Sequence, residues 1–581
     1  MPLTGYFYSA SSILPSLLCN HLNIRLRYIQ ISMNFQLSKN SCLNFLIFFL
    51  YFFLLVWFSP NLSFYLMSPD HGAQISAGKM VFFGYIPFRD ILFIYGPLVP
   101  YTSAFGEWVT NSLIGETIIC CIGHALSLFL IYFIVSKHSA KTIGFVSSIV
   151  GFLLISRFYK WYYVLFPLLA LLCIYYYLNS KSELRSKWLY CGGFLCGIGG
   201  LYRFDVGLAL FAIFIILVFF TSFKKIECNV SSFKLFLSNL MRYSVFFIIP
   251  FIVWFIFLLI NGGSVLEYIF MSVSGGIGLT QQWSIPIPSF DTKNPFSVVS
   301  CTALAFLLVP VLLIFIIFYC FLNFSKQDDL ENNKYIFLIM VSILALLLYP
   351  STAFRSSYPH LLQGLPPVII AVSIFSSDFF NSLSNSKKSL KKTFLGLLLI
   401  SFLLIIPLIG LGISQFQPLN LGGYDLVKSE FNPIPRLQQL HAGINTGEDS
   451  TLNRLIKTVQ NNTTISDKIL IIPSQHQLYY FINRPMSGMT LWYGPAIFDN
   501  EYWRHKNFEN ILADPPKLII VKNNFSDGYT NLRFDRYQPE LYDYIINNYN
   551  STLYQNEDWI VLKKSEYQAL LSSPETISHR F

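Results

Sequence analysis

Long hydrophobic runs alternate with short polar segments over the first 414 residues of the chain, and the pattern changes sharply beyond them. A helix needs about 20 apolar residues to cross the core of a bilayer. Eleven runs approach or exceed that length, so the pattern predicts about eleven transmembrane helices. They cover residues 41–67, 117–135, 142–156, 162–178, 188–201, 206–221, 243–260, 296–322, 335–349, 361–375 and 393–413.

The composition agrees with this pattern, since 54% of the residues are hydrophobic and only 12% are charged. A soluble protein of 581 residues could not bury that much apolar surface. The ten cysteines lie mostly in apolar runs without a CxxC pair, so we expect buried thiols and no zinc site or disulfide framework. The composition therefore predicts a polytopic α-helical membrane protein in contact with membrane lipids.

The net charge of +10 comes from lysine-rich loops, which argues for membrane orientation and against nucleic-acid binding. If the N-terminus is cytoplasmic, every lysine cluster between spans lies inside, as the positive-inside rule requires. These clusters occur at 137–141, 181–187, 224–242, 326–334 and 387–392. We therefore expect a cytoplasmic leader at 1–40, with an alternative start at Met33, and a transmembrane region at 41–414 whose first external loop is 68–116.

An odd number of spans places residues 415–581 outside, and this part has a different pattern. Short apolar runs at 468–473, 517–522 and 559–563 are typical of strands, and helical spacing occurs at 451–461, 475–482 and 540–548. The alternation predicts a C-terminal extracytoplasmic α/β domain.

Ionisable residues gather at the external ends of the predicted spans, where lipid headgroups begin. Charges at that depth are costly unless they are paired or used, so they are candidates for function. The external candidates are Asp70, His71, Arg89, Asp90, Glu107, Arg157, Lys160, Arg203, Asp205, Arg355 and His360.

Each candidate also has a structural interpretation. Asp70 could cap a helix or pair with Lys79 or Arg89, and Arg89–Asp90 could be an ordinary exposed ion pair. Arg157 and Lys160 could anchor a helix to headgroups, and this interpretation is slightly favoured. His360 could cap the next span.

The segment 69–101 holds Asp70 after the first span, then Pro-Phe-Arg-Asp at 87–90 and Tyr-Gly-Pro-Leu at 95–98. With these motifs it resembles the first external loop of GT-C glycosyltransferases. The resemblance is to the bacterial branch related to protein O-mannosyltransferases and the aminoarabinose transferase of lipid A. It implies eleven to thirteen spans, a catalytic acid in this loop and, often, a C-terminal extracytoplasmic domain.

Two weaker similarities are the turn at 203–207 and the segment 355–360, where similar sequences often carry an acid near the position of Ser357. The missing acid puts any metal or acceptor contact at that segment in doubt. No glycine-rich phosphate loop is present, so a soluble nucleotide-sugar is not favoured as donor. No cofactor is predicted, although Asp70, His71 and the distant His360 leave a divalent metal open.

The resemblance implies a sugar donor carried on a polyprenyl phosphate. We assign Asp70 as general base, since burial at the membrane edge tends to raise the pKa of a carboxyl group toward the working range. Arg203 and Arg355 are the first candidates for binding the phosphate, because one guanidinium group can donate two parallel hydrogen bonds to phosphate oxygens. The full set of predicted substrate-binding residues is Arg89, Asp90, Arg157, Lys160, Arg203, Asp205, Arg355 and His360.

The predicted activity is inverting transfer of the sugar to a hydroxyl or amine of a lipid, glycan or protein acceptor at the outer face of a bacterial inner membrane. One alternative is a transporter or flippase for lipid-linked oligosaccharides, and another is an oligosaccharide polymerase or ligase. A transporter would place polar residues near the middle of its spans. Here the ionisable residues lie at one edge, which favours chemistry at a surface.

Overall fold

The computed structural model describes residues 41–57, 69–111, 113–155, 157–223, 230–282, 284–295, 297–324, 329–353, 356–384, 451–473, 475–494, 500–522 and 534–564. Helices dominate the part before residue 385, and a short 3-10 turn at Phe158–Lys160 precedes the sixth of them. In chain order they are α1 (Ser41–Trp57), α2 (Pro69–Phe82), α3 (Leu98–Thr110), α4 (Leu113–His138), α5 (Lys141–Leu153), α6 (Tyr162–Asn179), α7 (Ser182–Tyr202), α8 (Phe204–Ser222), α9 (Val230–Ile260), α10 (Val265–Gln282), α11 (Val298–Phe324), α12 (Asp329–Ala353) and α13 (Tyr358–Ser384).

Seven helical segments of the described chain are long and apolar enough to cross a membrane. They are Leu113–His138, Phe158–Asn179, Phe204–Ser222, Val230–Ile260, Val299–Phe324, Asn332–Ala353 and Pro359–Phe379. Helices also occur in the shorter predicted spans at 142–156 and 188–201, while 393–413 lies outside the described residues. The polytopic helical class is confirmed, and the count of about eleven spans stays a prediction.

Two helices of the predicted external loop, α2 and α3, were not among the predicted spans. Proline at the first position and an acid in the first turn start α2, because the proline needs no amide partner there and the helix dipole favours a negative charge. The other helix, α3, is amphipathic and leaves Phe105, Trp108 and Val109 exposed. The predicted external loop therefore contains two helices of its own.

The region after residue 450 forms a four-stranded sheet of order β1-β2-β4-β3, in which β1 and β2 are parallel and the other pairs antiparallel. Its described elements are α14 (Thr451–Asn461), β1 (Ile469–Ile472), α15 (Gln477–Ile482), α16 (Glu501–Ala513), β2 (Leu518–Lys522), α17 (Phe534–Tyr537), α18 (Pro539–Asn548), β3 (Ser551–Gln555) and β4 (Trp559–Lys563). The predicted α/β class is confirmed. The sequence analysis missed β3, a polar and largely exposed edge strand without an apolar run.

The C-terminal part holds the start of α2 in place. Ser76 donates a 2.6 Å hydrogen bond to the carbonyl oxygen of His476, and a side chain at Gly72 would meet Gln477 Cβ at 2.8 Å. Burial lowers the pKa of His476, whose Nδ1 lies 3.0 Å from the Leu491 carbonyl. This close packing fixes the helix turn that carries Asp70.

Candidate active site

Three side chains from one short segment surround the carboxylate of Asp70. Arg157 Nη1 lies 2.8 Å from Asp70 Oδ2, the Tyr159 hydroxyl lies 3.3 Å from it and Lys160 Nζ lies 3.4 Å from it. The Asp70 side chain is 36% exposed, so a solute reaches it from outside. Two basic side chains and a phenol therefore surround the carboxylate.

Lys160 is almost completely buried, with 3% of its surface exposed. Its Nζ faces the rings of Tyr95, Tyr159 and Tyr163, at 4.8, 5.6 and 5.9 Å from the ring centroids. An amine placed over aromatic faces gains cation–π stabilisation that partly offsets desolvation. This placement does not fit headgroup anchoring, because an anchoring lysine extends its amine into the lipid–water interface.

Arg203 faces two of the same rings from the break between α7 and α8. Its Cζ lies 4.6 Å from the Tyr163 centroid and 5.8 Å from the Tyr95 centroid. We call Asp70, Tyr95, Arg157, Tyr159, Lys160, Tyr163 and Arg203 the Asp70 cluster. It joins one carboxylate and three cations at the ends of α2, α6 and α8.

Asp205 is the partner of Arg203, with Oδ1 2.7 Å from Nε, and lies in the first turn of α8. Burial opposes the charge on Arg203, but the Asp205 carboxylate and nearby tyrosines outweigh it, so the pKa of Arg203 lies above its ordinary value. Asp205 therefore keeps the guanidinium charged and oriented at the turn predicted between two spans.

A glycine allows the external loop to approach Arg203. A Cβ atom at Gly96 would lie 1.9 Å from the Leu201 carbonyl oxygen, and the Gly96 amide donates a 2.9 Å hydrogen bond to the Tyr202 carbonyl. This contact brings Tyr95, the residue before Gly96, close to the end of α7. The Tyr-Gly-Pro part of the resemblance thus has a physical role in assembling the Asp70 cluster.

We expect Gly96→Ala to lower the free energy of unfolding by about 1–3 kcal/mol, the usual cost of an overpacked contact. The clash is with backbone, so the loop must move away from α7. Thermal unfolding of the purified protein in detergent measures this effect. The control is Gly276→Ala, where a Cβ has nothing within 4 Å and the helix gains a better helix former. Equal melting temperatures for the two variants would contradict the close-approach argument.

Arg89 and Asp90 pair mainly with each other and with backbone. Arg89 Nε and Nη2 lie 2.8 and 2.6 Å from the Asp90 oxygens, and Nη1 donates to the Asn261 carbonyl at 2.7 Å. Asp90 also accepts a 2.8 Å hydrogen bond from the Ile86 amide. These contacts close the turn at 86–90 and connect it to the end of α9. They fit the ion-pair interpretation. Among the described residues, none of these hydrogen bonds reaches Asp70.

Of the two residues predicted on the segment 355–360, Arg355 lies outside the described residues. His360 is buried at the start of α13, with Nδ1 2.7 Å from the Ser357 hydroxyl. Its role in binding stays a prediction. One turn further along α13, Leu362 and Gln363 line a narrow cavity that also reaches Arg157 and Lys160.

This cavity is mostly apolar and lies between α4, α5, α6 and α13. Gln363 is buried, with 8% of its surface exposed. Its Nε2 has no hydrogen-bond partner among the described residues. A buried donor without a partner is costly, so an oxygen of a ligand or a water would be stabilised there. The cavity therefore places an apolar lining and one open donor beside two cations.

The sequence analysis missed the tyrosines of the cluster, Tyr95, Tyr159 and Tyr163. A signal was present, because residues 157–163 read Arg-Phe-Tyr-Lys-Trp-Tyr-Tyr, with two cations among five aromatic residues. In the part of the chain that the structure describes, no three His, Cys, Asp or Glu side chains are grouped to hold a metal ion. The expectation that no cofactor is needed stays a prediction.

Fold and site together define a polytopic membrane protein with an acid and several basic side chains at the ends of α2, α6 and α8. No protein-family model matches the sequence, and no curated protein matches it. ArnT from Cupriavidus metallidurans bound to undecaprenyl phosphate has a similar structure, with a TM-score of 0.50, 11% sequence identity and coverage of 92% of this chain and 100% of that chain.

Two further structures are similar with lower scores. The apo state of the same ArnT has a TM-score of 0.49, 11% identity and coverage of 90% and 98%. The oligosaccharyltransferase AglB from Archaeoglobus fulgidus, in complex with an inhibitory peptide and a dolichol-phosphate, has a TM-score of 0.41, 12% identity and coverage of 87% and 71%. The chain therefore shares its fold with this ArnT structure, in agreement with the resemblance of the segment 69–101.

Proposed function

We propose that the chain transfers a sugar from a polyprenyl-phosphate donor to an acceptor hydroxyl or amine at the outer face of a bacterial inner membrane. The observation that carries the proposal is the Asp70 cluster, in which a partly exposed carboxylate meets Arg157 and Lys160 beside Arg203. The fold adds support, because ArnT, which has a similar structure, was crystallised with undecaprenyl phosphate.

In the proposed reaction, the Asp70 carboxylate accepts the proton of the acceptor as its oxygen or nitrogen attacks the anomeric carbon. The new glycosidic bond forms on the face opposite the phosphate, so the anomeric configuration inverts. The bond between the anomeric carbon and the phosphate oxygen breaks, and its electron pair leaves with the polyprenyl phosphate. The cations stabilise the charge that develops on this leaving group.

Arg157 and Lys160 serve two partners in turn under this proposal. Without donor they pair with Asp70, which compensates charges that burial would otherwise penalise. A bound phosphate competes for the same cations, since charge-assisted hydrogen bonds to phosphate are strong. Donor binding then loosens the ion pairs and leaves the carboxylate to accept the acceptor's proton.

The cavity beside Arg157 and Lys160 supports a lipid-linked donor over a soluble one. Its lining is mostly aliphatic, with Leu128, Ile131, Leu362 and Ile369 among its residues. The wall is apolar but the free volume is only about 20 Å³, so an isoprene unit next to the phosphate would have to displace side chains of this wall. The Gln363 amide, without a partner among the described residues, would donate to an oxygen of the phosphate or sugar.

The test is incubation of the purified full chain in nanodiscs with a panel of undecaprenyl-phosphate hexoses and pentoses labelled in the sugar, plus envelope lipid and glycan extracts. We expect label on an acceptor together with free undecaprenyl phosphate, and an inverted anomeric configuration in the product. Movement of intact labelled donor across the bilayer of a proteoliposome, without cleavage, would support the transporter alternative and contradict the proposal.

A further inference from the structure

A buried hydrogen-bonded chain leads to Asp70 from the far side of the external loop. His71 Nε2 lies 3.0 Å from Glu116 Oε2, and the Ser103 hydroxyl donates a 2.8 Å hydrogen bond to Glu116 Oε1. These three polar residues are only 4–6% exposed, and they come from α2, α3 and α4. A buried polar network of this kind persists because each partner compensates the desolvation of the others.

The chain reaches Asp70 through an aromatic contact. The His71 ring stacks on Tyr159 with a centroid distance of 5.1 Å and an interplanar angle of 16°. The Tyr159 hydroxyl in turn lies 3.3 Å from Asp70 Oδ2. Glu116 fixes the histidine, the histidine fixes the tyrosine ring, and the tyrosine holds the carboxylate beside Arg157 and Lys160.

We propose that Glu116 and His71 are positioning residues that set the geometry of Asp70 through Tyr159. The proposal rests on the proposed function, because it takes Asp70 to be the base. Glu116 and His71 reach the carboxylate of Asp70 through the stack of His71 on Tyr159 and the Tyr159 hydroxyl. Their effect is on orientation, which matters because a misplacement of about 1 Å can lower turnover about 100-fold.

The same loop provides a matched control in a second buried acid. Glu107 pairs with Lys79 at 2.5 Å, and the Lys79 amine faces Phe82, Phe83 and Tyr480. Glu107 is 9% exposed and Glu116 is 5% exposed, so removing either carboxylate disturbs a buried pair of the same loop. Glu107 and Glu116 line one small cavity with Ser103, but Glu107 pairs with Lys79 and Glu116 with His71, so the control isolates the contact with His71.

The experiment compares Glu116→Ala, Glu116→Gln, Tyr159→Phe and Glu107→Ala in the transfer assay, with the donor of the panel that the wild type uses. We expect Glu116→Ala to lower kcat per folded molecule about 10- to 100-fold, with KM for the donor and Kd for undecaprenyl phosphate unchanged. Glu116→Gln restores an acceptor for Ser103 and recovers most of the rate. Glu107→Ala lowers the melting temperature and leaves kcat per folded molecule at the wild-type value.

Tyr159→Phe keeps the stacked ring and removes only the hydroxyl, so it tests the last contact even where an alanine variant does not fold. We expect its effect and that of Glu116→Ala to be non-additive, since both act through one contact. Wild-type kcat in both Glu116→Ala and Tyr159→Phe, or equal losses from Glu116→Ala and Glu107→Ala, would overturn the positioning role. If Asp70→Asn itself retains full activity, the proposed function fails instead, so the two failures are distinguishable.

Discussion

Asp70→Asn is expected to abolish measurable sugar transfer, with a loss on the order of 10²- to 10⁴-fold, the range for removing a general base. Asparagine has nearly the shape of aspartate but cannot accept the acceptor's proton at neutral pH. The measurement is initial-rate transfer from the labelled donor by purified protein in nanodiscs. The control is Glu267→Gln, which removes another partly buried acid. Glu267 pairs with Lys506, which is not part of the Asp70 cluster.

The same variant should bind the product lipid more tightly than the wild type does. Asp70 competes with phosphate for Arg157 and Lys160, so its neutralisation removes the competitor. Because the carboxylate is 36% exposed, we discount the gain for solvent screening and expect about 1 kcal/mol, or about fivefold in Kd for undecaprenyl phosphate. Weaker binding together with lost transfer would indicate that Asp70 acts structurally, and would contradict its assignment as base.

Lys160→Met should weaken binding of undecaprenyl phosphate by about 10- to 100-fold, since a hydrogen bond to a charged group contributes about 1.5–3 kcal/mol. Methionine fills most of the space among the tyrosine rings, so the change isolates the loss of the charge. Binding can be followed by the rise in melting temperature with added undecaprenyl phosphate.

Lys137→Met is the matched control for this variant. Lys137 also faces an aromatic ring, with Nζ 5.0 Å from the Phe133 centroid, but it lies in the last turn of α4 and has no recorded contact with the Asp70 cluster. The Kd values of Lys160→Met and Lys137→Met for undecaprenyl phosphate should therefore differ by about 10- to 100-fold. Equal affinities would show that the buried amine does not contact the phosphate.

The fold was largely predictable because it follows from local patterns. Apolar runs of membrane length mark the spans, and the runs at 468–473, 517–522 and 559–563 became three of the four strands. A polar edge strand such as β3 has no apolar run to mark it in the sequence. Its backbone hydrogen bonds come from its pairing with β4. Helix α10 likewise lacked the length of apolar sequence that marks a span.

The candidate site was predictable only in part, because helix packing decides which of several edge charges meet. Asp70 stood out by its place after the first span, and Arg203 by its place between two spans. Arg157 and Lys160 were weaker candidates, yet their segment turns inward at the start of α6 and reaches the carboxylate. The Arg89–Asp90 ion pair was one of the interpretations of the sequence, but the contact of Arg89 with the backbone of Asn261 could not be read from it.

The most direct measurement is a cryo-electron microscopy structure of the purified chain with undecaprenyl phosphate. The account predicts the phosphate within hydrogen-bonding distance of Arg157 and Lys160, the lipid entering along the cavity lined by Leu362 and Gln363, and longer distances from both cations to Asp70. A phosphate bound elsewhere, with the Asp70 ion pairs unchanged at 2.8 and 3.4 Å, would contradict it.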